Sequence, residues 1–181
     1  MMPDEQRSVT LRTWSEEDFS LLVRLMGDPA MTVYLQGPET MEQLEKRHAR
    51  YCGYKTSDKN FVYVVLYGDQ PVGSVGYWET EWEGQPAWEA FWSVVPEFQG
   101  KGIATRAMAL VIEHARAQAR HPYMHAMPSV DNAASNAVCR KAGFVLQGEI
   151  ELEAWREPGK YLRFNNWRLT LFAEPSASPP R

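Results

Sequence analysis

The feature that most limits how this chain can fold is a switch of backbone type inside one short run, Val94-Val95-Pro96-Glu97-Phe98-Gln99-Gly100-Lys101-Gly102-Ile103-Ala104-Thr105. Trp88 to Val95, leading into it, is aromatic and β-branched, as a buried strand should be. Pro96 has no amide hydrogen for a sheet ladder, so the strand is expected to end there. Ile103, Ala107, Leu110, Val111 and His114 then recur at helical spacing and predict a helix to about Arg120. Between the two, Gly100 and Gly102 carry no Cβ, so a ligand can come close to the main chain. The first amides of a helix lack internal partners and sit at the positive end of its dipole. Together these features predict a phosphate-sized anion site. It is not a P-loop, because no Gly-Lys-Ser/Thr stands at the required spacing. Nor is it a Rossmann turn, because Gly-x-Gly-x-x-Gly and a preceding βαβ unit are both missing.

The rest of the chain reads as ordered elements around this turn. Ser8 to Thr13 alternates as a first strand, and Ser15 with Asp18 opens a helix whose stripe is Phe19, Leu22, Val23 and Met26. Residues Met31 to Leu35 suggest a short helical turn. Thr40 and Gln43 cap a second helix with Met41, Leu44 and Tyr51 inward. Phe61 to Tyr67 and Val72 to Trp78 form a hairpin, and Glu79 to Pro86 reads as a long connection to the central strand. After the long helix come a short strand, Tyr123 to Met127, and a helix capped by Asp131 or Asn132 and stopped by Gly143. Phe144 to Ala154 and Tyr161 to Phe172 make a last pair of strands, and residues 175–181 a disordered Pro/Ser tail. This order fits one domain, residues 1–174, with a mixed, largely antiparallel sheet flanked by helices.

Composition excludes several classes. A net charge of −4 without a basic patch argues against nucleic acid as a partner. No apolar run is long enough for a membrane span, and Met1 to Arg7 lacks a signal core, so a cytoplasmic protein is expected. Cys52 and Cys139 lie far apart, as in a reduced compartment, and neither they nor His48, His121 and His125 show metal-ligand spacing. His114, on the apolar stripe, reads as a satisfied core residue.

Gln99-Gly100-Lys101-Gly102-Ile103-Ala104 resembles the Gln/Arg-x-x-Gly-x-Gly/Ala signature of the GNAT superfamily of N-acetyltransferases. Asn132-Ala133-Ala134-Ser135, followed by Lys141-Ala142-Gly143-Phe144, is similar to that superfamily's second segment. The two occur in order, and Glu89 to Gly102 resembles the RimJ/RimL-like branch most. The resemblance implies an α/β (α+β) GNAT fold of about six or seven strands. It also implies transfer of acetyl from acetyl-coenzyme A to a primary amine, without a metal. In such a fold the backbone of Val94 and Val95 would pair with the pantetheine arm, and amides from Gln99 through Gly100, Lys101, Gly102, Ile103 and Ala104 to Thr105 would hold pyrophosphate. Asn132 would bind pantetheine or position Ser135. A strand N–H, that of Val94, would stabilise the oxyanion.

Aminolysis needs a neutral amine, hence a proton acceptor, and Glu89 on the central strand is the candidate. Many of these enzymes carry a Tyr seven residues after the helix-opening Asn as proton donor to the leaving thiolate. Cys139 stands there instead, so Ser135 is the candidate donor and Cys139 a buried small hydrophobe. Trp78, Trp82, Trp88 and Trp92, interleaved with Glu79, Glu81 and Glu83, also offer a lining for a cationic or aromatic acceptor. The acceptor stays open between a peptide N-terminus and a small amine, and the oligomer between monomer and homodimer. A catalytically inactive coenzyme A binding or sensing protein is the alternative.

Overall fold

The computed structural model describes residues 8–154 and 156–173, so the expected tail at 175–181 and the Met1 to Arg7 start lie outside the described residues. The elements in chain order are β1 (Val9–Thr13), α1 (Phe19–Met26), α2 (Met41–Gly53), β2 (Asn60–Tyr67), β3 (Gln70–Trp82), β4 (Gln85–Val94), α3 (Ile103–Gln118), β5 (Tyr123–Ala126), α4 (Ala133–Lys141), β6 (Val145–Glu153) and β7 (Tyr161–Thr170). All seven strands form one sheet in the order β1-β2-β3-β4-β5-β7-β6. Every neighbouring pair is antiparallel except β4 with β5. This is the mixed, largely antiparallel sheet flanked by helices that the sequence predicts. No described helix is long and apolar enough to cross a membrane.

Local chemistry accounts for most boundaries. Gln43 N donates to the Thr40 hydroxyl at 3.3 Å while Thr40 N donates to the Gln43 side chain at 2.9 Å, a reciprocal cap for α2. Leu44 and Tyr51 turn inward as expected, but Met41 is 56% exposed because it lies on the first turn, outside the buried stripe. In α1 the fully buried residues are Leu21, Leu22 and Leu25, with Phe19, Val23 and Met26 packed at their edge. Met31 to Leu35 forms hydrogen-bonded turns, Met31 N to Asp28 O and Leu35 N to Thr32 O, rather than a helical turn.

Glu79 to Pro86 is not a long connection. β3 runs on to Trp82, and the register Glu79↔Trp88 to Trp82↔Gln85 keeps it paired with β4. Glu83 (φ 50°) and Gly84 (φ 77°) make a two-residue turn, and positive φ at both positions matches the twist of the strands. Pro86 is tolerated because the alternation of the ladder turns its missing N–H away from β3, short of the point where β5 begins to pair at Trp88.

Helices cover the sheet unequally. On one face, α3 and α4 lie over Phe61, Tyr77, Trp88, Met124 and Trp167. There His114 of α3 sits within hydrogen-bond distance of the Tyr77 hydroxyl (2.7 Å) and the Tyr63 hydroxyl (3.2 Å), a satisfied core residue as expected. On the other face, α2 brings Tyr51 onto Phe91.

Asn136 locks α4 to the sheet. Its Nδ2 donates to Ser129 O and Asn132 O, and its Oδ1 accepts from Asn165 Nδ2 and Trp167 Nε1, all at 2.8–2.9 Å. Asn136→Leu would strand the buried Trp167 indole N–H and the half-buried Asn165 amide, an expected loss of about 3 kcal/mol. For a chain of this length that is roughly 10 °C in Tm by calorimetry, with the cofactor turn unaffected.

Candidate active site

β4 and β5 share only two rungs, Trp88↔Met124 and Glu89↔His125. Past them β4 continues to Val94 against β3, whereas the chain after β5 stays with β7, through Asn165 N to Pro128 O and Val130 N to Arg163 O. Each segment follows its antiparallel partner, and a wedge opens between them. Val95 N donates to Val72 O, which fixes the alternation along β4. The main-chain groups of Ala90, Trp92 and Val94 therefore face the wedge.

Two of the expected main-chain contacts are already in use. Val95 gives its N–H to Val72 O and its carbonyl accepts from Phe98 N, so neither group is left for an extended ligand. Gln99 N donates to Pro96 O, while the Gln99 side chain donates to Val94 O at 2.8 Å and reaches Met31 Sδ at 3.5 Å. Gln99 is thus a staple of the turn, and Val94 offers the wedge its N–H alone.

At the turn itself, Gly100 and Gly102 have φ of 75° and 70°, and a Cβ on either would meet nothing within 4 Å. No side chain caps α3, whose first internal bond is Arg106 N to Gly102 O. Among the described residues, the amides of Gly100, Gly102, Ile103, Ala104 and Thr105 have no protein acceptor. The Lys101 ammonium lies over the Phe98 ring. A set of bare donors at a helix N-terminus, in front of open space, fits a diphosphate.

On the wedge's far wall, Asn132 caps α4 by accepting from Ser135 N at 3.0 Å, which fixes the backbone at Ser135. The half-buried Ser135 hydroxyl makes no hydrogen bond to any described residue. Cys139 is fully buried, and burial pushes its thiol up to about 12, so it behaves as a small hydrophobe.

Glu89 is half-buried at the last rung. Burial raises its carboxyl above the usual range, and a hydrogen bond from the Trp78 indole partly opposes that rise. Trp78 stacks on Phe91 at 5.0 Å, and Phe91 on Tyr51. An aromatic wall thus dries the carboxylate, and the Trp78 indole tempers the resulting rise. Across the rung from Glu89, on the same sheet face, His125 lines a cavity of about 300 Å³ with Trp82, Glu83, Gln147, Asn166 and Arg168, and Glu89 itself is not part of the lining.

Away from this region, Glu16, His48 and Cys52 bring ligand-type atoms within 4.8 Å of one another. Trp14 Nε1 donates to His48 Nδ1 at 3.2 Å, so a neutral ring carries its proton on Nε2, toward Glu16 and Cys52. That nitrogen acts as a donor there; ligating a cation would set an Nδ1–H against the indole N–H.

The sequence profile of the acetyltransferase (GNAT) domain matches residues 8–145. The chain belongs to the GNAT acetyltransferase family. No curated protein sequence matches this GNAT chain. Its fold is shared with solved structures of low identity. A spermidine N-acetyltransferase from Vibrio cholerae, in complex with CoA and spermine, is 19% identical over 90% of this chain and 95% of that one, TM-score 0.73. An acetyl transferase from Salmonella typhimurium that modifies the N-terminal serine of a 50S ribosomal subunit protein is 20% identical over 93% and 97%, TM-score 0.72. An aminoglycoside acetyltransferase in complex with coenzyme A is 17% identical over 90% and 95%, TM-score 0.73.

Sequence reasoning located the glycine turn and the α4 cap of this GNAT chain, and it placed Glu89 on the central strand. It missed the Trp78 bond to Glu89, the position of His125 and the Asn136 lock. Trp78 and Glu89 face each other only once β3 and β4 are placed in register, and that register depends on the turn at Glu83 and Gly84.

Proposed function

We propose that this chain transfers acetyl from acetyl-coenzyme A to a small polar amine by direct attack in a ternary complex. The observation that supports it is the pairing of an uncapped glycine turn with a desolvated Glu89 at the apex of the wedge. The amides of Gly100 and of Gly102 to Thr105 hold the diphosphate of the donor, and the wedge-facing groups of β4 hold its amide-rich arm as an added strand. Glu89 takes the proton of the acceptor's ammonium, and the freed nitrogen lone pair forms a C–N bond to the acetyl carbon. The carbonyl electron pair moves to oxygen, where Val94 N–H stabilises it. When that pair returns, the C–S bond breaks with its electrons on sulfur, Ser135 hydrogen-bonds the leaving thiolate, and the nitrogen loses its second proton to solvent to give the neutral amide. The small-amine reading rests on the cavity lined by His125, the rung partner of Glu89, whose size and Trp82-containing lining suit a small ligand.

A thiol-release screen with acetyl-coenzyme A against small amines and peptides tests this. Small polar amines are expected to release thiol. Turnover with peptide N-termini alone would replace the acceptor class, and tight donor binding without release for any amine would favour a binding or sensing protein.

A further inference from the structure

His125 stands across from Glu89 on the last rung before β4 and β5 part, so both side chains leave the same face of the sheet. It is 2% exposed. Its Nδ1 lies 2.8 Å from Asn166 Oδ1, an oxygen that can only accept, so Nδ1 carries the proton and Nε2 the lone pair. Trp82 stacks on the ring at 5.0 Å and fixes its plane. Nε2 has no hydrogen-bond partner among the described residues, yet it is not among the sealed, unsatisfied polar atoms, and His125 lines the cavity across the rung from Glu89. A buried imidazole with one nitrogen tied and the other open to a cavity is built to accept a proton from whatever occupies that cavity.

We propose that His125 is a second proton acceptor for the acceptor amine, presenting its free Nε2 lone pair to the cavity alongside Glu89. The proposal rests on the transferase reading above and deepens its acceptor side. Glu89 takes the first ammonium proton, freeing the electron pair that attacks the acetyl carbon; the second, left on nitrogen once the C–N bond has formed, passes to Nε2, and the imidazolium returns it to water through the cavity. Burial, the largest influence, holds the ring neutral by lowering its pKa. The groups facing it are Glu83 from the β3–β4 turn, Glu89 from β4, Glu149 from β6 and Arg168 from β7, with Tyr123 on its own strand under the Arg168 guanidinium. Glu83 favours the imidazolium and Arg168 opposes it.

The test uses the amine that releases most thiol in the screen. Asn166→Asp sets a carboxylate against Nδ1–H, and the acid limb of kcat/KM is expected to move up by about one pH unit. His125→Phe keeps a ring on Trp82 and is expected to lower kcat/KM about 10-fold or more, with coenzyme A affinity unchanged. A two-bond ¹H–¹⁵N spectrum of the wild type at pH 8 should show His125 with Nε2 unprotonated. An active wild type whose limb stays put in Asn166→Asp, or His125→Phe at wild-type kcat/KM, overturns the role of His125 alone. So does an Nε2–H tautomer. A wild type that releases no thiol with any amine overturns the transferase reading and this proposal together.

Discussion

Glu89→Gln is expected to lower kcat by about 10²-fold or more, because a positioned proton acceptor contributes at least that much to amine attack at neutral pH. The substitution keeps size and a hydrogen-bond acceptor for Trp78 while removing the charge. Coenzyme A affinity should be unchanged, since the glycine turn lies at the other end of β4. The deficit should shrink as pH rises toward the amine's own pKa, where free amine no longer needs Glu89. A deficit constant across pH would make Glu89 an orienting group instead. Stability should move the opposite way. Burial raises the carboxyl of folded Glu89, so the folded state prefers it protonated, and the stability this gives below the unfolded pKa is lost as pH rises through the folded one. The variant should therefore melt at least as high as the wild type at pH 8 and show no such advantage near pH 4, by calorimetry at both.

Gly102→Val is expected to weaken coenzyme A binding about 30-fold or more, equivalent to losing roughly 2 kcal/mol of charge-assisted hydrogen bonds. Two effects act together. Gly102 has φ of 70°, where a β-branched residue is strained, and its new side chain would project into the open space before the bare amides. The strain alone lowers stability by about 1–2 kcal/mol, so binding is to be measured below the melting transition and compared with Gly102→Ala. Gly102→Ala carries similar strain but less bulk, and its loss of affinity should be smaller. Titration calorimetry giving wild-type affinity for both would refute the turn as the diphosphate site.

Where the sequence was informative, it was through local rules with little tertiary content. Element order followed from periodicity and caps, as at Thr40 with Gln43 and at Gly143, and the anion turn followed from two glycines before an apolar helical stripe. The failures share a physical origin. Glu79 to Pro86 looked irregular because Glu, Gly and Pro are poor strand formers, yet ten residue pairs between β3 and β4 hold it in the ladder. Val95 and Gln99 looked available because the partners of a main-chain amide, Val72 and Pro96, become known only from the register and the turn after β4. Asn136 and His125 were silent because a polar residue inside an apolar pattern shows neither its burial nor its partner until the strands are side by side.

The wedge implies a division in what drift of the sequence can alter. On the donor side, the proposed grip consists of backbone atoms, and backbone chemistry is the same whatever side chain is attached. Substitutions there are tolerated unless they add bulk at two glycines or delete an amide with proline. Across the rung at Glu89 the acceptor side is made of side chains, each replaceable one at a time. A lineage built on such a frame can trade one amine for another while its hold on the acyl carrier is inherited intact.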